Sequence, residues 1–127
     1  TAGNPWGVLM LRGGRAGSNY SPDMLFDARN RLEKAGLQPR VIVDCSHANS
    51  GKDHRRQSIV FRDVLKQRIE GDHSIVGVML ESNINPGKQQ PNQDRSVLEY
   101  GVSITDACIG WDETETLLRE AYSSLGK

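Results

Sequence analysis

The 127-residue chain is long enough for one small domain, and we expect residues 1–127 to form a single piece. Its 16 basic residues balance 16 acidic ones, which excludes the broad basic surface typical of proteins that bind nucleic acid or anionic membranes. No apolar run approaches the roughly 20 residues that cross a bilayer, the N-terminus lacks a signal-peptide pattern, and two distant cysteines make no disulfide framework, so we expect a cytoplasmic protein.

Three short apolar segments predict the strands of a parallel sheet. They are "GVLMLRGG" at 7–14, "RVIVDCSH" at 40–47 and "SIVGVMLES" at 74–82. Each is rich in Val, Ile, Leu or Met and does not alternate between apolar and polar residues. This pattern is typical of strands that are buried on both faces.

Helical signals follow each predicted strand. Ser21 is a candidate N-cap before Pro22, and Gly36 marks the end of this first helix. The spacing of apolar residues predicts a second helix over about 53–69 and a third over about 113–125. The order is βα, βα, βα, which predicts an α/β fold with a parallel sheet covered by helices.

Three strands are few for a fold of this class. A free three-stranded parallel sheet would leave an unpaired edge on each side and a thin core. The first apolar segment also begins almost at the first residue. We therefore expect three of the eight units of a (β/α)8 TIM barrel, so that the barrel is incomplete in this chain.

Polar side chains cluster where each predicted strand ends. Arg12 ends the first strand, Asp44 and His47 end the second, and Glu81 ends the third. The carboxyl ends of parallel strands carry the ligand site in α/β folds, because the loops there converge on one crevice. The guanidinium of Arg12, which two glycines follow, can hold a phosphate or carboxylate with two parallel hydrogen bonds. The alternative for Arg12 is an ordinary ion pair with a neighbouring carboxylate.

His47, Glu81 and Asp106 together are candidate ligands of a divalent metal. A lone histidine is more often structural, but an ionised carboxylate such as Glu81 is rarely buried without a partner. One imidazole and two carboxylates suit Mn, Fe, Co or Zn better than Ca. Cys45 and Cys108 are expected to be small buried hydrophobes. Because Cys45 stands two residues before His47, an extended strand would point both side chains the same way, which leaves a metal or redox role open.

Five motifs resemble one known family. "LRGG", "NYS", "DCSHANS", "GVMLES" and "SITDACIGW" follow in the order and at about the intervals of the C-terminal part of class I (type Iα) 3-deoxy-D-arabino-heptulosonate 7-phosphate (DAHP) synthases. The resemblance covers essentially all of the chain. It implies a (β/α)8 barrel that condenses phosphoenolpyruvate with erythrose 4-phosphate to DAHP and phosphate. That reaction is the first step of the shikimate route to aromatic amino acids.

The resemblance also implies roles for single residues. The divalent metal of this family is bound by Cys, His, Glu and Asp, and His47, Glu81 and Asp106 match the last three ligands. Arg12 matches an arginine that holds the phosphate of phosphoenolpyruvate. Asp44 matches an acidic residue near the metal and the sugar phosphate. His47, Asp44 and Asp106 are therefore the expected catalytic residues.

The departures from the family pattern set further expectations. The family's metal-binding Cys and its Lys and Arg cluster for phosphoenolpyruvate belong to the N-terminal half, which these 127 residues do not include. We expect the isolated chain to be inactive and to associate, through exposed strand edges or apolar faces, with itself or with neighbouring chains. One alternative is a standalone phosphate-binding or metal-binding α/β module without catalysis. Another is a non-catalytic fragment that docks on a full-length synthase.

Overall fold

The structure is a computed structural model that describes residues 3–126. The chain alternates strands β1 (Leu9–Leu11), β2 (Val41–Asp44) and β3 (Ile75–Met79) with helices α1 (Pro22–Lys34), α2 (Gln57–Ile69) and α3 (Trp111–Leu125). The strands form one parallel sheet in the order β1-β2-β3. The predicted α/β order is confirmed.

The helix boundaries differ slightly from the predicted ones, for local reasons. The side chain of Asp53 accepts a hydrogen bond from the backbone N–H of Arg55 at 3.1 Å, so a 3₁₀ turn over His54–Arg56 comes first. The helix α2 therefore begins only at Gln57. The helix α3 begins two residues earlier than predicted, with Gly110 as its N-cap.

The two faces of the sheet are not equally covered. Val41 pairs with Ile75 across β2 and β3, and these side chains are 0% and 4% exposed. Met10 pairs with Ile42 in the next row, where Met10 is 47% exposed and Ile42 is half-buried. The prediction that every strand is buried on both faces is therefore wrong for residues 3–126. The helices pack against the face that carries Val41. The other face is also apolar, but no helix of the described residues packs against it.

The core lies between that covered face and the helices. Each helix contributes to it, and the contributing side chains are Leu25 from α1, Val60, Phe61 and Val64 from α2, and Leu117 from α3. They pack with Val41, Val43 and Ile75 of the sheet. Within residues 3–126, no helix has both the length and the apolar character that crossing a membrane requires.

Candidate metal centre

Residues at the carboxyl ends of the three strands line one open cavity of about 520 Å³. Arg12 directly follows β1, His47 follows β2 and Glu81 follows β3. Asp106, in the loop before α3, reaches the same cavity. Four of the five site residues predicted from the sequence therefore line a common space. The fifth, Asp44, lies buried directly behind His47.

His47, Glu81 and Asp106 form a compact group. Each offers one potential ligand atom, and these atoms lie within 4.8 Å of one another. The Nε2 of His47 is 3.6 Å from Oε1 of Glu81, and the two side chains are 25% and 24% exposed. Ligands that bind a metal at about 2 Å lie roughly 3 to 3.5 Å from each other, so the separation of His47 and Glu81 is already close to that of two ligands of one ion. One imidazole nitrogen and two carboxylates fit a transition metal of the Mn, Fe, Co or Zn class.

Asp44 orients the imidazole of His47. Its carboxylate is 1% exposed, and Oδ2 lies 2.7 Å from Nδ1 of His47. The other oxygen, Oδ1, accepts hydrogen bonds from the backbone N–H of Ser46 at 2.8 Å and from its hydroxyl at 2.6 Å. When Nδ1–H donates to the carboxylate, the lone pair of Nε2 points towards Glu81 and Asp106. Metal-binding histidines commonly have such a carboxylate partner.

A tight turn after β2 carries His47 into the cavity. His47 and Lys52 both have left-handed backbones, with φ of 46° and 62°. The carbonyl of His47 closes the turn, because it accepts from the N–H of Lys52 at 2.7 Å and from the hydroxyl of Ser50 at 3.2 Å. The regular strand has already ended at Asp44. The alternation of an extended strand therefore does not reach His47.

The two cysteines do not join this group. Cys45 is fully buried in the helix-facing core, so the expectation that an extended strand points Cys45 and His47 the same way is wrong. Burial, and then the charge of Asp44, raises the pKa of Cys45 to about 12, which keeps the thiol protonated and disfavours a thiolate ligand. Burial also raises the pKa of Cys108, which is partly exposed. Among the described residues, the potential ligand group contains no cysteine.

Arg12 faces the cavity from an exposed position. Within residues 3–126, no carboxylate lies within ion-pair distance of it, so the alternative of an ordinary ion pair is not supported. The next residue, Gly13, has φ of +73°, and a Cβ there would lie 2.7 Å from the Cβ of Ala48. Glycine is therefore required where this turn passes the loop after β2. Lys52 and Lys88 line the same cavity and add positive charge.

Two buried amide side chains at this rim had no role in the sequence-based prediction. The Nδ2 of Asn49 donates to the carbonyls of Leu11 at 3.0 Å and Asp44 at 2.8 Å, which ties the end of β1 to the end of β2. The amide of Gln57 pairs with the backbone of Glu81 in both directions. A helical apolar face that includes Val60 also contains position 57, and a polar residue on such a face is the one local signal that marks Gln57.

Comparison with known proteins decides the family. The profile of the DAHP synthetase I family matches residues 1–119. The chain belongs to this family. The resemblance found in the sequence motifs is thus confirmed, and the DAHP synthetase I relatives include bacterial and fungal proteins.

The relatives are substantially longer than this chain. It is 51% identical over 125 residues to the Tyr-sensitive phospho-2-dehydro-3-deoxyheptonate aldolase of Salmonella typhimurium, a match that covers 98% of this chain and 35% of that protein. It is 46% identical over 124 residues to the phenylalanine-inhibited aldolase of Saccharomyces cerevisiae, covering 93% of this chain and 34% of that one. The chain therefore spans about a third of the length of these DAHP synthetase I proteins.

A solved structure with a similar sequence supports the fold. The phospho-2-dehydro-3-deoxyheptonate aldolase of Francisella tularensis aligns with a TM-score of 0.91 at 40% sequence identity. The alignment covers 98% of this chain and 36% of that one. The three-stranded α/β unit described above is therefore similar to about a third of that aldolase structure.

Proposed function

We propose that this chain is the C-terminal portion of a DAHP synthase, whose whole condenses phosphoenolpyruvate with erythrose 4-phosphate to DAHP and phosphate. The observation that carries the proposal is the group of His47, Glu81 and Asp106 beside Arg12 at the strand ends, in a chain of the DAHP synthetase I family. In this proposal residues 1–127 contribute three βα units of a (β/α)8 barrel. The exposed row of the sheet that carries Met10 would face the barrel interior.

The proposed metal centre uses residues whose chemistry fits a divalent ion. His47, Glu81 and Asp106 would hold Mn, Fe, Co or Zn through one nitrogen and two carboxylates. When bound, such an ion would supply Lewis acidity towards the aldehyde oxygen or towards water. Asp44 keeps the proton of His47 on Nδ1, so that Nε2 stays available as a ligand.

Arg12 supplies the complementary half of the proposed site. Its exposed guanidinium faces the cavity, and it would hold the phosphate of phosphoenolpyruvate with two parallel hydrogen bonds. Positive charge at this position neutralises the anion as the carbon–carbon bond forms, and it orients the substrate towards the metal. Lys52 and Lys88 strengthen the positive field in the same cavity.

The metal centre is tested by Mn²⁺ binding to the 127-residue chain, measured by calorimetry and by electron paramagnetic resonance. We expect His47→Ala, Glu81→Gln and Asp106→Asn each to weaken binding by about tenfold or more, since each removes one ligand. His73→Ala is the matched control, because His73 is a histidine outside the cavity. Unchanged Mn²⁺ binding in all three ligand variants would rule out the proposed centre.

The activity is tested in a chimera, because the chain spans about a third of its relatives. Residues 1–127 replace the matching segment of the Salmonella typhimurium relative, and phosphate release is measured with both substrates. We expect the chimera to be active, Arg12→Ala in the chimera to raise the KM for phosphoenolpyruvate, and the isolated chain to be inactive. A folded chimera that binds metal but makes no DAHP would instead favour a non-catalytic metal-binding module.

We also propose that the isolated chain associates through its unpaired strand edges and uncovered sheet face. Both outer strands, β1 and β3, have one edge without a partner strand among the described residues. Exposed parallel edges pair readily with other chains. Size-exclusion chromatography with light scattering should show species larger than a monomer as concentration rises, and a clean monomer throughout would contradict this.

A further inference from the structure

Gln57 makes an unusual pair of contacts at the proposed metal centre. It is the first residue of α2 and is 0% exposed. Its Nε2 donates to the carbonyl of Glu81 at 3.0 Å, and its Oε1 accepts from the N–H of Glu81 at 2.8 Å. Both polar groups of one side chain are therefore committed to both backbone groups of one potential metal ligand, 24 residues away in the sequence.

Glu81 needs such an external partner because it lies beyond the sheet. The strand β3 ends at Met79, so the parallel ladder does not fix the backbone of Glu81. The N–H of Ile109, a buried residue, also donates to the carbonyl of Glu81, at 2.9 Å, in an isolated parallel bridge that lies outside the three-stranded sheet. The hydrogen bonds of Gln57 join Glu81 to the helix α2, which is itself fixed in the core through Val60.

We propose that Gln57 is a positioning residue that sets the carboxylate of Glu81 beside His47, an inference that rests on the proposed metal centre. The Nε2 of His47 and Oε1 of Glu81 are 3.6 Å apart, on loops that leave two different strands. Metal ligands tolerate displacements of only about 0.2 Å from their ideal distances. A buried carboxamide that holds the backbone of a ligand from both sides limits its displacement in a way that apolar packing cannot.

The same helix contains a matched control. Gln67 is also buried, at 8% exposed, and its Nε2 donates to the carbonyl of Tyr20 at 2.9 Å and to Oδ1 of Asp63 at 2.6 Å. Gln67 does not line the cavity of the metal centre. Replacing either glutamine by methionine keeps the length of the side chain and removes its hydrogen bonds. The two substitutions should therefore cost similar amounts of folding stability and differ only at the site.

The first readout is Mn²⁺ affinity of the 127-residue chain, measured by calorimetry at temperatures where each variant is folded. We expect Gln57→Met to weaken Mn²⁺ binding by about tenfold or more, the range typical for residues that orient metal ligands, and Gln67→Met to leave it within about twofold. Equal affinity in Gln57→Met and the unmodified chain would overturn the proposal. So would an equal loss in both variants, because that loss would reflect stability alone.

Gln57→Asn provides a second variant in case Gln57→Met does not fold. Asparagine keeps a neutral carboxamide but is one methylene shorter, so it cannot reach both backbone groups of Glu81. It adds no charge beside the metal centre. We expect a loss of Mn²⁺ affinity, and unchanged or tighter binding would count against the positioning role.

A metal-free readout separates this inference from the proposed metal centre. In the unmodified chain, nuclear Overhauser effects should connect the ring protons of His47 with the side-chain protons of Glu81, and these should disappear in Gln57→Met but persist in Gln67→Met. If the unmodified chain binds no Mn²⁺, the metal centre fails, yet this measurement still decides whether Gln57 positions Glu81. Persistence of the effects in Gln57→Met would overturn the inference.

Discussion

Two neighbouring rows of residues run across the same sheet and have opposite environments. In one row, Val41 and Ile75 face the helices and both side chains are almost fully buried. The row that contains Met10, Ile42 and Gly77 faces away from them, and no layer of the described chain covers it. The sequence of both rows is apolar, so composition does not distinguish them. The difference indicates that the described helices cover one face of the sheet, whereas the other face lacks the second layer that usually covers apolar parallel strands.

The largest loss of stability should come from removing a large side chain from the core between the sheet and the helices. Phe61 is 2% exposed in the core, and Phe61→Ala should lower the free energy of unfolding by about 3 to 5 kcal/mol. Phe26 on α1 is 54% exposed, so Phe26→Ala should cost less than about 1 kcal/mol. Urea denaturation followed by circular dichroism measures both. Similar costs for the two phenylalanines would mean that the helix layer is not where the stability lies.

A pair of valines tests the comparison with identical chemistry. Val43, in β2, is 0% exposed, and Val43→Ala should cost about 2 kcal/mol through lost burial and the cavity left behind. Val8, just before β1, is 46% exposed, and Val8→Ala should cost less than about 0.5 kcal/mol in the monomeric chain. The cost at Val8 should rise when a partner covers it, so measurement at low and high protein concentration sharpens the test. A concentration-independent, equal cost at both positions would remove the distinction between the faces.

The sequence predicted the layers of this fold but not their coverage. Apolar runs and helix signals give the order of elements correctly, because they depend on local periodicity. The uncovered row around Met10 escaped prediction, since a run of apolar residues reports what could be buried and does not report what is available to bury it. The helix α2 begins later than predicted, because the cap formed by Asp53 favours a 3₁₀ turn before it.

The sequence likewise predicted some features of the candidate site and missed others. The convergence of His47 and Glu81 follows from strand ends that meet at one edge of a parallel sheet, which the order of the elements already implies. Asp106 joins them from the loop before α3. The expected alignment of Cys45 with His47 was wrong, because the left-handed backbone of His47 ends the alternation of the strand. Gln57 was missed, since its partner lies 24 residues away and the sequence marks it only as a polar residue on the apolar face of α2.

The pH dependence of stability provides a third test of the difference between the two faces, because Cys45 is buried on the covered face. The pKa of Cys45 rises from 9.0 to about 12 on folding, mainly because of burial. Below pH 9 both states keep the proton, whereas from pH 9 to 12 the unfolded chain loses it and the folded chain does not. The contribution of Cys45 to stability should therefore fall by about 1.4 kcal/mol per pH unit across that window. Urea titrations of the chain and of Cys45→Ala, which lacks this slope, measure the difference.

Alkylation of the thiols checks the same burial independently. Cys108 is partly exposed, so iodoacetamide should modify it in the folded chain, while Cys45 should react only at the rate of unfolding. Mass spectrometry after a time course in buffer and in urea distinguishes the two sites. Rapid modification of Cys45 under native conditions would show that the covered side of the sheet opens easily, against the contrast drawn from its burial.

The smallest expected effect is a gain at the uncovered row. Gly77 lies within β3, and a Cβ there would meet only the side chain of Ile42, at 3.5 and 3.9 Å, which is ordinary contact. Gly77→Ala should therefore raise the free energy of unfolding by about 0.5 kcal/mol, because alanine restricts the unfolded chain and fits the folded one. Gly13→Ala is the opposing control, since its φ of +73° and the 2.7 Å approach to Ala48 should make the same change destabilising. If thermal unfolding shows a loss at Gly77 as well, the row around Ile42 has no free space, and the idea of an uncovered face would have to be abandoned for that part of the sheet.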